Sequence, residues 1–218
     1  MTAHPVIAID GPAASGKGTL ARRIAQALGF AHLDTGTLYR AVGLTVLKRG
    51  EDPSNADAAT RAVQALDLSL LEDPQLRSAD TGVAASKVAA IPAVREALLA
   101  FQRNFAANPP GQRGAVLDGR DIGTVICPSA TVKLFVTATT EIRSRRRFLE
   151  LRAQGSTRTE EDVLADIRAR DARDAGRSVA PLRQAPDAHL LDTSHLDIEA
   201  AVAQALTIVR AGLASCDG

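Results

Sequence analysis

The chain has 218 residues, 45% of them hydrophobic, with 26 Lys and Arg against 25 Asp and Glu for a net charge of +1. That length suits one α/β core with small insertions, and so small a charge excludes the long-range field that gathers nucleic acid or an anionic membrane, leaving local arginine clusters to hold any anion. Cys127 and Cys216 lack CxxC spacing, no secretory leader precedes the first apolar run and no segment approaches a membrane span, so a cytoplasmic protein in a reducing cytosol is expected.

The apolar run Val6 to Asp10 predicts a strand, and the periodic positions Leu20, Ile24, Ala27 and Leu28 predict a helix from about Lys17 to Leu28, capped by Gly29. Between them lies Gly11-Pro12-Ala13-Ala14-Ser15-Gly16-Lys17-Gly18-Thr19. Strand, glycine-bracketed loop and helix in that order form the context of a phosphate-binding loop. The glycines let successive N–H groups point into one concavity, the helix start adds its dipole, and Lys17 adds a point charge for the outer phosphates. Gly18 stands where G-x-x-x-x-G-K-[ST] asks for a hydroxyl, with Thr19 next, which leaves direct contact of that hydroxyl with Mg²⁺ open. A nucleotide site is expected here.

A second strand, Ala31 to Leu33, follows, and this alternation predicts a parallel sheet with ligands beyond the carboxyl ends of its strands, where Asp34, Thr35 and Arg40 emerge. Arg40 lies one turn into a helix with apolar positions Ala41, Leu44 and Leu47; a solvated arginine on a helix face is the alternative. From Glu51 to Ser86 the pattern loosens. Asp52-Pro53-Ser54-Asn55 predicts a turn and helix start, Ala58 to Leu66 a short helix and Leu68 to Leu71 a weak strand, together an insertion outside the main sheet. A longer helix after Pro92 is expected to have Val94, Leu98, Leu99 and Phe101 or Phe105 on its buried side and Arg95 and Arg103 off it, and Asn108-Pro109-Pro110-Gly111 stops it.

Ala115 to Asp118 predicts the next strand, with Gly119-Arg120-Asp121-Ile122-Gly123-Thr124 after it. An acid such as Asp118 at a strand end beside the phosphate loop suits Mg²⁺, directly or through water, while an exposed turn with a chance Arg-Asp pair is the alternative. After the fourth strand, Val132 to Val136, a helix carries Arg143, Arg145, Arg146 and Arg147. Helical spacing puts Arg143, Arg146 and Arg147 on one face, either solvated or the anion-facing edge of a lid. Thr159-Glu160-Glu161-Asp162 has capping-box spacing, and the apolar stripe Val163, Leu164 and Ile167 then continues into Arg170, Asp174 and Arg177. Burying such charges uncompensated would cost several kcal/mol each, so the row is expected to line a polar cleft that holds anions, with a surface ion-pair ladder as the alternative. Ala188 to Asp192 predicts the fifth strand, and Ile198, Ala201, Val202, Ala205, Leu206 and Val209 a core-covering last helix closed by Gly212. His4, His32, His189 and His195 lack metal-ligand spacing and read as ordinary surface or edge residues.

The segments IDGPAASGKGTLA, LDTGTLYR, SKVAAIPAVRE, LDGRDIGT and RARDARDAGRSVAPL, in this order, resemble the bacterial cytidylate kinases over almost the whole chain. The resemblance implies an α/β, three-layer P-loop kinase fold with a five-stranded parallel sheet, helices on both faces, a small NMP-binding insertion and a short lid. It implies one domain over residues 1–218, with core at about 1–36, 87–148 and 163–218, insertion at about 37–86 and lid at about 149–162. The implied reaction is transfer of the ATP γ-phosphate to CMP or dCMP with Mg²⁺, by a monomer that engages neither nucleic acid nor membrane. Gly11, Pro12, Ala13, Ala14, Ser15, Gly16, Lys17, Gly18 and Thr19 would hold ATP. Arg40, Arg120 and Arg177 match positions that clasp the CMP phosphate, Ser86, Arg95 and Asp121 those that read cytosine, and Arg170 and Asp174 those that hold the sugar hydroxyls, with Thr35 close to the base where the family often has serine. Charge stabilisation would fall to Lys17, Arg120, Arg146 and Arg177 without a dedicated general base, and the segment around Arg143 to Arg158 would close to exclude water. The insertion that usually forms a small sheet in the family is abbreviated, with Leu68 to Leu71 its only clear strand. A P-loop kinase acting on UMP, TMP or a non-nucleotide alcohol is the neighbouring alternative, and a nucleotide-dependent switch a remoter one. Against the switch, no N-K-x-D motif occurs and no glutamate follows Asp118.

Overall fold

The computed structural model describes residues 4–111 and 113–215, so Cys216 lies outside the described residues. Its strands are β1 (Val6–Asp10), β2 (Ala31–Asp34), β3 (Ala115–Gly119), β4 (Val132–Thr137) and β5 (His189–Asp192). All pair in parallel, in the order β2-β3-β1-β4-β5. Short apolar runs suit strands buried on both sides, and here helices cover both faces.

On one face α1 (Lys17–Leu28) and α8 (Ile198–Ala214) bury Leu20, Ile24, Ala205 and Val209 against Ile7, Ile9, Val116, Leu134 and Val136. On the other, α5 (Pro92–Ala107) and a π-type turn at Ile122–Ile126 close over Ala8 and Leu117. Each fully buried Leu, Ile or Val contributes roughly 1.5–3 kcal/mol, so these two layers fix the sheet that everything else hangs from. A second core lies beside the sheet, where α2 (Thr35–Lys48), α3 (Ala56–Gln64) and α4 (Ala79–Val88) pack with α5 through Leu38, Val42, Ala62, Val88 and Leu98.

Leu68 to Leu71 is not a strand. Leu68–Glu72 forms a 3₁₀ turn, capped by the Asp67 carboxylate accepting from Ser69 N, because no neighbouring strand offers it a partner and local bonds win. The stretch expected to be an abbreviated insertion is therefore helical, with no strand in it. Its helix α4 escapes sequence reading because small residues give it little amphipathic contrast; Ser78 caps it, and Gly43 of α2 permits the contact, since a Cβ there would lie 2.9 Å from Ala85 N. Gly212 does not close the fold either. It lies inside α8, where a Cβ would come within 2.6 Å of Val132 Cγ2, so it serves close packing on β4.

Helices α6 (Thr140–Ala153) and α7 (Glu160–Ala175) form a hairpin over the carboxyl edge of the sheet, and α7 starts with the expected reciprocal Thr159–Asp162 capping box. The parallel register ends β1, β2 and β3 at one level, with Asp34 opposite Asp118 and Asp10 opposite Gly119. Ligands in open α/β sheets lie at such a place, where the chain leaves the central strand to either side. No helix among the described residues is long and apolar enough to cross a membrane.

Candidate active site

Above the carboxyl ends of β1, β2 and β3 opens a cavity of about 460 Å³, within the range for a small-molecule site. Nine cationic and five anionic side chains line it, an excess of four positive charges in a chain whose net charge is only +1. So concentrated a charge calls for anions.

The loop after β1 forms the cavity's first wall. Gly11 takes φ 153°, and a Cβ there would collide with the Val136 carbonyl; Ala14 and Gly16 take φ 59° and 87°. These positive values turn successive N–H groups to one side, and α1 begins at Gly16 with no side-chain cap, so its first amides stay available for an anion. Lys17 donates to the Pro12 carbonyl at 3.3 Å. Its pKa falls to about 7, chiefly through burial and then the field of Arg120, against the pull of Asp118 and Asp34.

A second wall gathers guanidinium groups from four segments. Asp174, 1% exposed, accepts from Arg120 Nε at 2.8 Å and from Arg177, with Arg170 Nε 4.0 Å away. Burial opposes the Asp174 charge, but these three neighbours override it and hold the carboxyl below its usual range. Arg170 is pushed down to about 9 by burial and by Arg120. The Nε groups of Arg170 and Arg177 are buried without a hydrogen-bond partner among the described residues. Arg177 lies beyond the end of α7 at Ala175, so it reaches the cluster through the turn at Gly176 and not by continuing the helical stripe. Arg40 also lines the cavity, donating to the Leu76 carbonyl at 2.6 Å, and burial lowers its pKa. The solvated-arginine and surface-ladder alternatives are excluded by this placement.

Ser86, Tyr39 and a buried ion pair, Arg95 to Asp121 at 2.5 Å, line the same cavity, so Arg95 is not off the buried side of α5 as its helical spacing suggested but turned in to meet a carboxylate. Arg120-Asp121 is thus no exposed turn: Asp121 is 3% exposed and turns away from its neighbour towards Arg95, which stacks over the Tyr39 ring 5.6 Å from its centre. Thr35 lies on the wall between β2 and β3, its hydroxyl donating to the Asp118 carbonyl oxygen at 2.8 Å.

The arginines of α6 part company. Arg146 stands beside Gly16, held by Thr193 through its hydroxyl at 3.0 Å and its carbonyl at 2.7 Å, and Arg147 also faces the cavity. Arg143 does not join that face. It is 4% exposed and braces the phosphate loop against α7, donating to the Ala13 carbonyl at 3.3 Å and to both Asp171 oxygens.

Sequence reasoning missed several supports. Asp10 accepts from Ile122 N and Gly123 N at 2.8 Å each and so clamps the turn that carries Arg120 and Asp121; burial raises its pKa to about 6. His32 lies on edge strand β2 yet is no ordinary edge residue, because its Nε2 sits 2.8 Å from Asp118 Oδ1. Both contacts depend on strand register, which no linear spacing reveals.

The comparisons with known proteins converge on one family. Residues 7–211 match the cytidylate kinase family model. A cytidylate kinase of Rhodospirillum rubrum is 60% identical over 205 residues, 94% of this chain and 96% of that protein. One from Bradyrhizobium sp. (strain ORS 278) is 57% identical over 206 residues, with the same coverage. Among solved structures, an uncharacterised protein from Eubacterium ventriosum superimposes with a TM-score of 0.54 at 12% identity, covering 94% of this chain and 98% of that one, a likeness of fold alone. A phosphate loop, an arginine cluster and a buried Arg-Asp pair opening on one cavity, with this agreement over nearly the full length, establish that the chain belongs to the cytidylate kinase family.

Proposed function

We propose that this chain transfers the γ-phosphate of ATP to CMP and dCMP, giving CDP and dCDP. The observation that carries the reading is the convergence of phosphate loop and arginine cluster on one cavity, which is also lined by hydrogen-bonding groups suited to a pyrimidine. ATP lies along Gly11 to Thr19, with Lys17 at its outer phosphates. Arg40, Arg120 and Arg177 clasp the acceptor phosphate, and Arg170 and Asp174 take the sugar hydroxyls. Asp121 accepts from the exocyclic amino group of cytosine, while Arg95 and Ser86 donate to its ring acceptors and Thr35 flanks the base; uracil presents a carbonyl where Asp121 needs a donor.

An acceptor phosphate oxygen attacks the γ-phosphorus in line as the bond to the β-phosphate oxygen breaks and ADP leaves. Little covalent work falls to the protein. Lys17, Arg120, Arg146 and Arg177 neutralise charge spreading over the transferred group, and in-line positioning supplies much of the remaining rate. Mg²⁺ with ATP fits the residues present: Asp118 is buried beside Gly18, where even a Cβ would lie 3.6 Å from its Oδ2. The ion would be held mainly by phosphate oxygens and water, with Asp118 acting through water. Bound there, magnesium would offset phosphate charge.

We place the acceptor insertion at about 37–86 and the lid at about 149–162, closing over the cavity to exclude water. We take the working unit to be a monomer in the cytoplasm. An acceptor panel with ATP and Mg²⁺ tests the reading. CMP and dCMP should be phosphorylated efficiently and UMP at least about a hundredfold less so in kcat/KM. Activity on UMP or TMP above that on CMP would overturn the assignment of Asp121 and Arg95, and steady ATP hydrolysis without any acceptor would point to a switch instead.

A further inference from the structure

The RDARD segment of α7 places Arg170 and Asp174 in the cavity and commits Asp171 to Arg143, which leaves Arg173. Arg173 does not line the main cavity. It borders a smaller space of about 40 Å³ among α4, α6 and α7, adjoining the main cavity at Arg147, Ile167 and Arg170, and its Nε donates to Ser86 Oγ at 3.1 Å between α4 and α7.

This bond fixes more than a distance. A guanidinium has no acceptor, so the contact must use a lone pair of the hydroxyl, and Ser86 keeps its own O–H to donate elsewhere. Ser86 is 1% exposed and has no other side-chain hydrogen bond among the described residues, while its residue borders the cavity beside Arg95 and Tyr39. We infer that Arg173 is a positioning residue for the acceptor base: it holds the Ser86 hydroxyl as a donor into the cavity and ties α4, which carries Ser86, to α7, which carries Arg170 and Asp174. The inference rests on reading Ser86 as a residue that meets the base. Arg173 works without touching the ligand, by filling one lone pair of the hydroxyl and fixing Ser86 Oγ at the cavity wall, which leaves the O–H free to donate to the base.

Two replacements separate the donor from the charge. Met places a methyl group where Nε stands, whereas Gln places an amide N–H₂ at the same position along the side chain without the positive charge. Arg173→Met should weaken CMP binding by about five- to tenfold, as loss of one hydrogen bond does, and leave ATP affinity unchanged. Arg173→Gln should stay within about twofold of the parent for both nucleotides. Ser86→Ala should weaken CMP binding about as much as Arg173→Met, and the double variant should be no weaker than Ser86→Ala alone. ATP affinity measured on the same preparations reports that each variant is folded, and if Arg173→Met does not fold, Arg173→Leu takes its place as the variant without the donor, alone and combined with Ser86→Ala. Impaired CMP binding by a folded Arg173→Gln would make the charge responsible and overturn the inference. So would additive losses in the double variant, or full CMP affinity in Arg173→Met while Ser86→Ala is impaired. A Ser86→Ala variant that binds CMP normally would instead sink the reading of Ser86 itself, and the inference with it.

Discussion

Replacing Lys17 with alanine is expected to lower the rate of phosphoryl transfer about a hundred- to a thousandfold while the protein stays folded, because the loss is of charge stabilisation at the transferred group. The geometry adds a second readout. Burial and Arg120 hold the Lys17 pKa at about 7, so above that pH much of the ligand-free protein carries a neutral amine. Phosphate oxygens would restore the charge, and ATP binding near pH 8 should therefore take up roughly one proton, measurable by calorimetry in buffers of different ionisation enthalpy. Lys17→Ala should take up none. The linkage to stability has a definite sign. The folded pKa lies below the ordinary value of 10.5, so the unfolded chain binds more protons between pH 7 and 10.5 and this group's contribution to stability rises with pH across that window. Turnover equal to that of the parent would remove Lys17 from the site.

Asp174→Asn should be the most damaging substitution for acceptor binding. One buried carboxylate is shared by Arg120, Arg170 and Arg177, and removing its charge leaves three cations facing one another. Breaking a buried pair in this way costs about 3–5 kcal/mol, enough to lower the melting temperature by roughly 6–20 °C in a domain of this size. Phosphate or sulfate should recover part of that loss by supplying the missing negative charge. CMP binding should weaken by about two orders of magnitude and ATP binding little, since the phosphate loop does not contact Asp174. Equal losses for both nucleotides, measured by calorimetry on the folded variant, would show a purely structural ion pair.

What could be read along the chain was whatever the chain keeps contiguous. The phosphate loop, its flanking strand and helix, the Gly29 stop and the Thr159–Asp162 box are local in sequence, and the structure places each where periodicity and capping put it. The contacts that build the arginine wall and the buried pair are not local. Arg95 meets Asp121, and Arg120 meets Asp174, across 26 and 54 residues, and their charges imply a polar destination without saying which partner is met. His32 reaches Asp118 from the neighbouring strand, and Asp10 reaches the turn that follows β3. The insertion failed for a different reason: Leu68-Ser69-Leu70-Leu71 has a strand's apolar density but no partner strand, and α4 has a helix's caps without its periodicity. Arg143 shows the limit of face arithmetic. It shares helical spacing with Arg146 and Arg147, yet the nearness of Asp171 and the Ala13 carbonyl turns it into a brace.

If donor and acceptor phosphates meet in one cavity, a bisubstrate compound with adenosine and cytidine joined through five phosphates is the most direct probe of that meeting. It should compete with both ATP and CMP and bind at least about a hundredfold tighter than either alone, because one binding event then occupies both walls. Displacement by only one of the two nucleotides, with affinity no better than that nucleotide's own, would contradict it.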